Sequence, residues 1–260
     1  MSIALQCTGL TSGYSGVPAL RALDLELRQG EIVTILGPNG AGKTTALLTL
    51  TGVISPIAGQ VTALGEPVIG GKPHLAARRG LSLVPDDRGL IYGLSARENL
   101  IIGLRRQSRR AAVDLVLDFF DPLRSRLDVK AGLLSGGEQQ MLALGRAFAR
   151  KARVLMIDEM TLGLAPVIAK SILPILRRGV DELGTSVLLV EQHVDLALDV
   201  ADRAYVLNRG YTELTGQAAD LRGRRDLLQA SYLGEVTTAP NVASPPNEAS
   251  PTGASTLHRA

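Results

Sequence analysis

Aromatic side chains are scarce in this sequence: tryptophan is absent, and all aromatics together make up 3% of the 260 residues. Proteins that bind single-stranded nucleic acids usually stack the bases on aromatic rings, so this composition disfavours such a surface. The formal net charge is only +3, and the paired arginines are scattered along the chain. We interpret these arginines as solvated faces, with contact to a partner or to anionic headgroups as the alternative, and we expect no nucleic-acid partner.

Cysteines and long apolar runs are also lacking. Cys7 is the single cysteine, which excludes a disulfide framework or a cysteine metal cluster and is typical of a reducing cytosol. The start of the chain lacks the basic segment and apolar core of a signal peptide. No apolar run reaches the roughly 18 residues that a membrane-spanning helix needs. We therefore expect a soluble protein that meets a membrane only through partners.

The apolar pattern predicts an α/β fold. Leu23, Leu25 and Leu27 alternate with charged residues, as in a strand with one buried face. Three compact apolar runs predict buried strands: residues 32–36, 154–157 and 187–190. A helix-length segment separates the last two, which favours a parallel sheet with helical crossovers. Apolar residues from about 95 to 120 follow helical spacing.

A glycine-rich loop follows the first of these runs. Residues 37–45 read GPNGAGKTT and match the pattern G-x-x-x-x-G-K-[ST] between a strand and a helix. Its backbone N–H groups can surround a phosphate, and the helix N-terminus adds partial positive charge. Lys43 is expected to reach the β- and γ-phosphates of ATP, and the Thr44 hydroxyl to bind Mg²⁺. The predicted nucleotide-binding residues are Gly37, Asn39, Gly40, Gly42, Lys43, Thr44 and Thr45.

Two carboxylates end the second apolar run. The sequence VLMIDE places Asp158 and Glu159 at the carboxyl end of a buried strand, where α/β sheets bind ligands. Asp158 is suited to hold Mg²⁺, and Glu159 to position or deprotonate the attacking water. Together with the glycine-rich loop, this pair predicts a P-loop nucleotidase.

A second anion site is predicted at Ser135, Gly136 and Gly137. The sequence LSGGE precedes a stretch of good helix formers. Ser135 can cap that helix, and the paired glycines let a phosphate approach the exposed N–H groups. One γ-phosphate hardly needs both loops of one subunit, so we expect two subunits to share each nucleotide.

The order GPNGAGKTT, LSGGE, VLMIDE resembles that of the ATP-binding cassette (ABC) family over roughly residues 3–235. The resemblance implies an ABC ATPase fold: a P-loop core with a parallel sheet and helical crossovers, an N-terminal antiparallel β-subdomain, and an inserted helical subdomain at about residues 94–150. We take residues 1–235 as the ATP-binding domain. Residues 236–260 are rich in Pro, Ser and Ala and predict a disordered tail.

The resemblance also implies roles for further residues. Tyr14 takes the place of the aromatic that stacks on adenine, and His193 that of the switch histidine that senses the γ-phosphate and acts in catalysis with Glu159 and Lys43. Asp86 stands where most members carry glutamine, and is implied to contact Mg²⁺. Met160 replaces a common proline after the carboxylate pair. Both departures favour slower hydrolysis without abolishing the site.

Four stretches are similar to the ATP-binding subunits of branched-chain amino-acid importers: residues 83–89, 94–100, 163–166 and 190–193. The resemblance implies an ATP-hydrolysing subunit, peripheral on the cytoplasmic face of the membrane. Its partners would be transmembrane permease subunits, a second ATPase subunit in a homo- or heterodimer and, indirectly, a periplasmic or extracellular binding protein. Four alternatives stay open: an amide or urea importer, an exporter, a nucleotide-binding regulatory partner with weak hydrolysis, and a soluble ABC ATPase outside transport.

Overall fold

The computed structural model describes residues 2–224 together with residues 226, 228 and 230. The predicted tail at residues 236–260 lies outside them. The strands are β1 (Ile3–Tyr14), β2 (Val17–Arg28), β3 (Ile32–Leu36), β4 (Ala58–Ala63), β5 (Glu66–Pro67), β6 (Leu81–Val84), β7 (Val154–Asp158), β8 (Ser186–Glu191), β9 (Arg203–Asn208) and β10 (Tyr211–Gln217). The helices are α1 (Lys43–Leu50), α2 (Pro73–Arg79), α3 (Ala96–Ile101), α4 (Arg109–Phe119), α5 (Gly136–Ala149), α6 (Pro166–Leu183), α7 (Val194–Val200) and α8 (Ala218–Arg222).

A six-stranded sheet forms the centre of the molecule, in the order β10-β9-β3-β8-β7-β6. Its pairs are parallel except for β9 with β10. The strands β3, β7 and β8 are buried at every position, which confirms the three buried strands predicted from apolar runs. Because these strands run in the same direction, their carboxyl ends meet at one edge of the sheet.

A four-stranded antiparallel sheet, in the order β2-β1-β4-β5, covers one face of the central sheet. Leu23, Leu25 and Leu27 are at most 2% exposed, as the alternation predicts, and they share a core with α1. Alternate side chains of β3 enter different cores: Val33 and Ile35 face this sheet, and Ile32 and Leu36 face the helices on the other side. The predicted fold class, an α/β core with an antiparallel N-terminal sheet, is confirmed.

The segment of helical period from about residue 95 to 120 forms two helices rather than one. The helix α3 ends at Ile101, and α4 begins at Arg109. Gly103 lies between them in a left-handed conformation, with φ +78°, which interrupts the helical hydrogen bonding. Both helices pack on α5, where the rings of Phe119 and Phe148 lie 5.0 Å apart.

Across the described ranges, none of the helices combines the length and apolar character required to cross a bilayer.

Candidate active site

The loop between β3 and α1 is pressed against the backbone of neighbouring strands. A Cβ atom on Gly42, where φ is +100°, would lie 2.6 Å from the carbonyl oxygen of Ala19. One on Gly37 would lie 2.3 Å from the carbonyl oxygen of Leu207. Larger residues therefore do not fit at either position. The opposite side of the loop, at Asn39 and Gly40, is exposed, so a phosphate can approach from that side.

The side chain of Lys43 crosses this loop. Its ammonium group donates hydrogen bonds to the carbonyl oxygens of Gly37, at 2.9 Å, and of Pro38, at 3.1 Å. It also lies 3.5 Å from the Oε1 atom of Glu159. The residue is 4% exposed, so the charge is held at a fixed position inside the loop. Such a charge is available to a phosphate bound there.

Asp158 ends β7 beside the hydroxyl of Thr44. Burial, together with the negative charges of Glu159 and Asp86, raises its pKa to about 6, although the Thr44 hydrogen bond and Lys43 oppose the rise. Its Oδ1 atom is buried and has no hydrogen-bond partner among the described residues. Buried polar atoms rarely stay unpaired, so this oxygen is suited to bind a ligand.

Mg²⁺ matches that requirement, because it prefers oxygen ligands and usually takes only one or two carboxylates from the protein, with phosphates and waters completing the shell. In the described part of the chain, no three His, Cys, Asp or Glu side chains form a cluster that could hold a metal. Asp86 lies in the exposed loop after β6, and its Oδ1 accepts the N–H of Asp87 at 2.9 Å.

Glu159 turns out of the sheet in a strained conformation. Its φ is +45°, in the left-handed region that non-glycine residues seldom adopt. Its backbone N–H is bonded to the carbonyl oxygen of Val190 at 2.9 Å, and the following Met160 is 1% exposed within the core. Packing of Met160 and this hydrogen bond therefore hold the turn. Members of the ABC family, which the sequence resembles, commonly carry a proline at the position of Met160.

The residue after β8 that reaches Glu159 is Gln192. Its Nε2 atom donates to Glu159 Oε1 at 2.7 Å and to Asn39 Oδ1 at 2.6 Å. The imidazole of His193 lies instead against Thr161, with Nδ1 3.0 Å from the hydroxyl oxygen. Gln192 is not among the residues predicted for the site, whereas His193 is. The signal for Gln192 was its place directly after a buried strand, at the same sheet edge as Glu159.

Ser135 caps α5 as predicted, in a reciprocal pair with Glu138. The serine hydroxyl accepts the Glu138 N–H at 3.3 Å, and the glutamate Oε2 accepts the Ser135 N–H at 2.8 Å. Gly136 and Gly137 pack near Arg88, Leu164 and Ile168 rather than beside residues 37–45. The structure therefore does not bring the two predicted anion sites together within the subunit.

Tyr14 lies at the end of β1 and is 53% exposed, so its ring is open to a ligand. An unpredicted contact concerns Arg88, which joins the loop containing Asp86 to α5. Its Nη1 atom donates to Gln139 Oε1 at 2.6 Å. The loop after β6 and the helix after Ser135 are thereby linked.

Comparison with known families and proteins gives consistent results. Residues 20–162 match the model of a family described as ABC transporter. The chain is 41% identical over 224 residues to the high-affinity branched-chain amino acid transport ATP-binding protein BraG of Pseudomonas aeruginosa, covering 85% of this chain and 95% of that protein. It is 29% identical over 250 residues to BraF of the same bacterium, which carries the same description, covering 89% of this chain and 98% of that protein.

Among solved structures, the fold is similar to the ADP conformation of an ATP-binding cassette of an ABC transporter, with a TM-score of 0.80 and 22% identity. The match covers 90% of this chain and all of that one.

Proposed function

This chain belongs to the ABC transporter family and is one of its ATPase subunits, and from that premise we propose that it powers the import of branched-chain or related amino acids. The observation that carries the substrate class is the 41% identity to BraG over 95% of that protein's length. The catalytic residues are proposed from the geometry of the site, because a family match says nothing about individual side chains.

In the proposed complex, ATP binds with its phosphates against residues 37–45 and its adenine on Tyr14. The open side of the loop, at Asn39 and Gly40, supports entry from the face where a second subunit can dock. The Ser135–Gly137 loop of that second subunit would complete the phosphate site. Supporting this, the same loop of this chain lies apart from its own residues 37–45. BraG and BraF are two different proteins of one bacterium with one description, which favours a heterodimer.

Mg²⁺ would be held by Asp158 and Thr44, with Asp86 nearby. The unpaired Oδ1 atom of Asp158 supports this assignment. When bound, the ion would neutralise charge on the phosphate oxygens.

Glu159 is the proposed base that orients or deprotonates the attacking water, and Lys43 stabilises the charge that develops on the phosphate. Support comes from their separation of 3.5 Å and from the fixed turn that carries Glu159. His193 stays a prediction for the γ-phosphate contact, and its imidazole lies 3.0 Å from the Thr161 hydroxyl.

We place the subunit at the cytoplasmic face of the membrane, held there by permease subunits that dock on residues from about 94 to 120. An external binding protein would deliver the amino acid to those permeases. The prediction of no nucleic-acid partner is retained. A regulatory subunit with weak hydrolysis is a second candidate, and Asp86 in place of the family's glutamine is the observation that favours it.

Uptake by cells tests this proposal. The gene is deleted in the organism that carries it, and entry of radiolabelled leucine, valine, ribose and urea is measured before and after restoring the wild type or Lys43→Ala. We expect leucine and valine uptake to fall and to be restored by the wild type alone. Loss of ribose or urea uptake instead would overturn the substrate class. Recovery with Lys43→Ala would overturn the role of the phosphate loop.

A further inference from the structure

Gln192 connects two parts of the active site that lie far apart in the sequence. Its amide nitrogen is 2.6 Å from Asn39 Oδ1 in the loop after β3 and 2.7 Å from Glu159 Oε1 after β7. An amide nitrogen carries two hydrogens, so it can serve both acceptors at once. The side chain is half-buried, which limits competition from water.

Glu159 depends on side-chain partners for its orientation. Its backbone is fixed by the bond to Val190, whereas its side chain is 16% exposed. Two groups approach the Oε1 atom: the Gln192 amide at 2.7 Å and the Lys43 ammonium at 3.5 Å. Lys43 is occupied by two carbonyl oxygens of its own loop. The amide is therefore the closer and more direct restraint on the carboxylate.

His193 does not share this position. Its side chain is 62% exposed, and its Nδ1 atom lies 3.9 Å from Glu191 Oε2 as well as 3.0 Å from the Thr161 hydroxyl. The ring borders a surface groove of about 430 Å³ between the start of α6 and α7. Adjacent residues at the end of β8 thus point to different places, and the one directed at Glu159 is the glutamine.

We propose that Gln192 is a positioning residue for hydrolysis: its amide holds the Glu159 carboxylate in place for the attacking water and ties that carboxylate to the phosphate loop through Asn39. The proposal rests on the role of Glu159 given above. It predicts that Gln192 affects the chemical step and leaves ATP affinity largely unchanged, because its contacts are with the base and the rim of the loop.

The test is steady-state ATP hydrolysis by the full chain, comparing the wild type with Gln192→Ala and Gln192→Glu. Misplacing a reacting group by about 1 Å can cost on the order of 100-fold in rate, so we expect kcat to fall roughly 10- to 100-fold with KM for ATP within about twofold. The glutamate variant keeps the shape and replaces the donor with a carboxylate facing Glu159. It should be at least as impaired as alanine, whereas a role in packing alone would spare it.

A double-mutant cycle with Glu159→Gln measures the coupling between the two residues, which a purely structural role of Gln192 would not produce. If Gln192 acts through Glu159, Gln192→Ala should cause no further loss in the Glu159→Gln background. Equal losses in both backgrounds would overturn the proposal, and so would a smaller loss for Gln192→Ala than for His193→Ala. Gln60→Ala, at an exposed glutamine of β4, is the matched control and should leave turnover unchanged.

Thermal melting of each variant shows whether the fold is retained. Should Gln192→Ala unfold, the isosteric glutamate variant still decides the question. A wild type that hydrolyses no ATP, either alone or together with its partner ATPase subunit, would overturn the proposed function and this inference together. An active wild type with unaffected Gln192 variants would overturn this inference alone.

Discussion

The carboxylate of Glu191 accepts two hydrogen bonds from Thr161, one from the backbone N–H and one from the hydroxyl, each 2.9 Å long. Glu191 is 1% exposed, and burial raises its pKa. These bonds join the end of β8 to the start of the segment at residues 161–164, which lies between β7 and α6. The position of that segment is therefore set by a buried acid of the central sheet.

Thr161→Val should destabilise the fold by about 1–3 kcal/mol, because it removes a hydroxyl from a buried carboxylate while keeping a similar volume. Urea unfolding at pH 7 measures the change. Thr212→Val, at an exposed position of β10, is the control and should stay within about 0.5 kcal/mol. Equal losses in the two variants would show that the Glu191 bonds contribute nothing specific.

Asp158→Asn should stabilise the subunit at pH 7 in the absence of metal and nucleotide. The folded-state pKa of Asp158 is raised from 3.8 to about 6, so its protonated form favours folding below pH 3.8 and that contribution is lost as the pH rises through 6. The variant lacks this loss and should be more stable by about 3 kcal/mol at pH 7, with the gain disappearing near pH 4.

Unfolding free energies measured in EDTA from pH 4 to 7.5 check this. Asp114→Asn removes the same charge from an exposed helix position and should show no such pH dependence. A stability gain at Asp158 that persists unchanged at pH 4 would contradict the assignment of the pKa.

Glu159→Gln should reduce ATP turnover by about 10²–10⁴, the usual contribution of a general base, while ATP still binds. The amide keeps the size of the side chain, and the phosphate loop is untouched. Phosphate release measures turnover, and light scattering in Mg·ATP follows pairing of subunits. We expect an ATP-bound pair to accumulate. Undiminished turnover would remove Glu159 from the mechanism.

The structure holds a matched pair of capping serines. Ser135 with Glu138 caps α5, and Ser95 with Glu98 caps α3 in the same reciprocal arrangement. Alanine at either serine should cost about 0.5–2 kcal/mol of stability. If Ser135 also meets a phosphate across the subunit interface, Ser135→Ala alone should weaken ATP-dependent pairing. An equal effect of Ser95→Ala on pairing would assign the loss to stability.

Much of the fold could be predicted from the sequence because its signals are local. The apolar runs that form the fully buried strands β3, β7 and β8 and the glycine-rich loop can be recognised without tertiary contacts. The break between α3 and α4 was not predicted, because the spacing of apolar residues does not report the left-handed backbone at Gly103.

For the site, the sequence could place Lys43 in the loop before α1 and Asp158 at the end of β7, and the roles assigned to both stay predictions. The roles of Gln192 and His193 were harder to separate. Once the chain leaves β8, the direction of each side chain depends on the turn into α7, and no local pattern encodes that turn. Histidine is the most frequent acid–base residue of active sites, so a sequence predicts a catalytic role for it more readily than for a glutamine.

The backbone oxygens of Ala19 and Leu207 close the rear of the phosphate loop at Gly42 and Gly37. In the proposed binding mode, a nucleotide would therefore enter and leave on the exposed side of the loop, at Asn39 and Gly40. If a second subunit covers that side, we expect ADP to be released only after the two subunits separate.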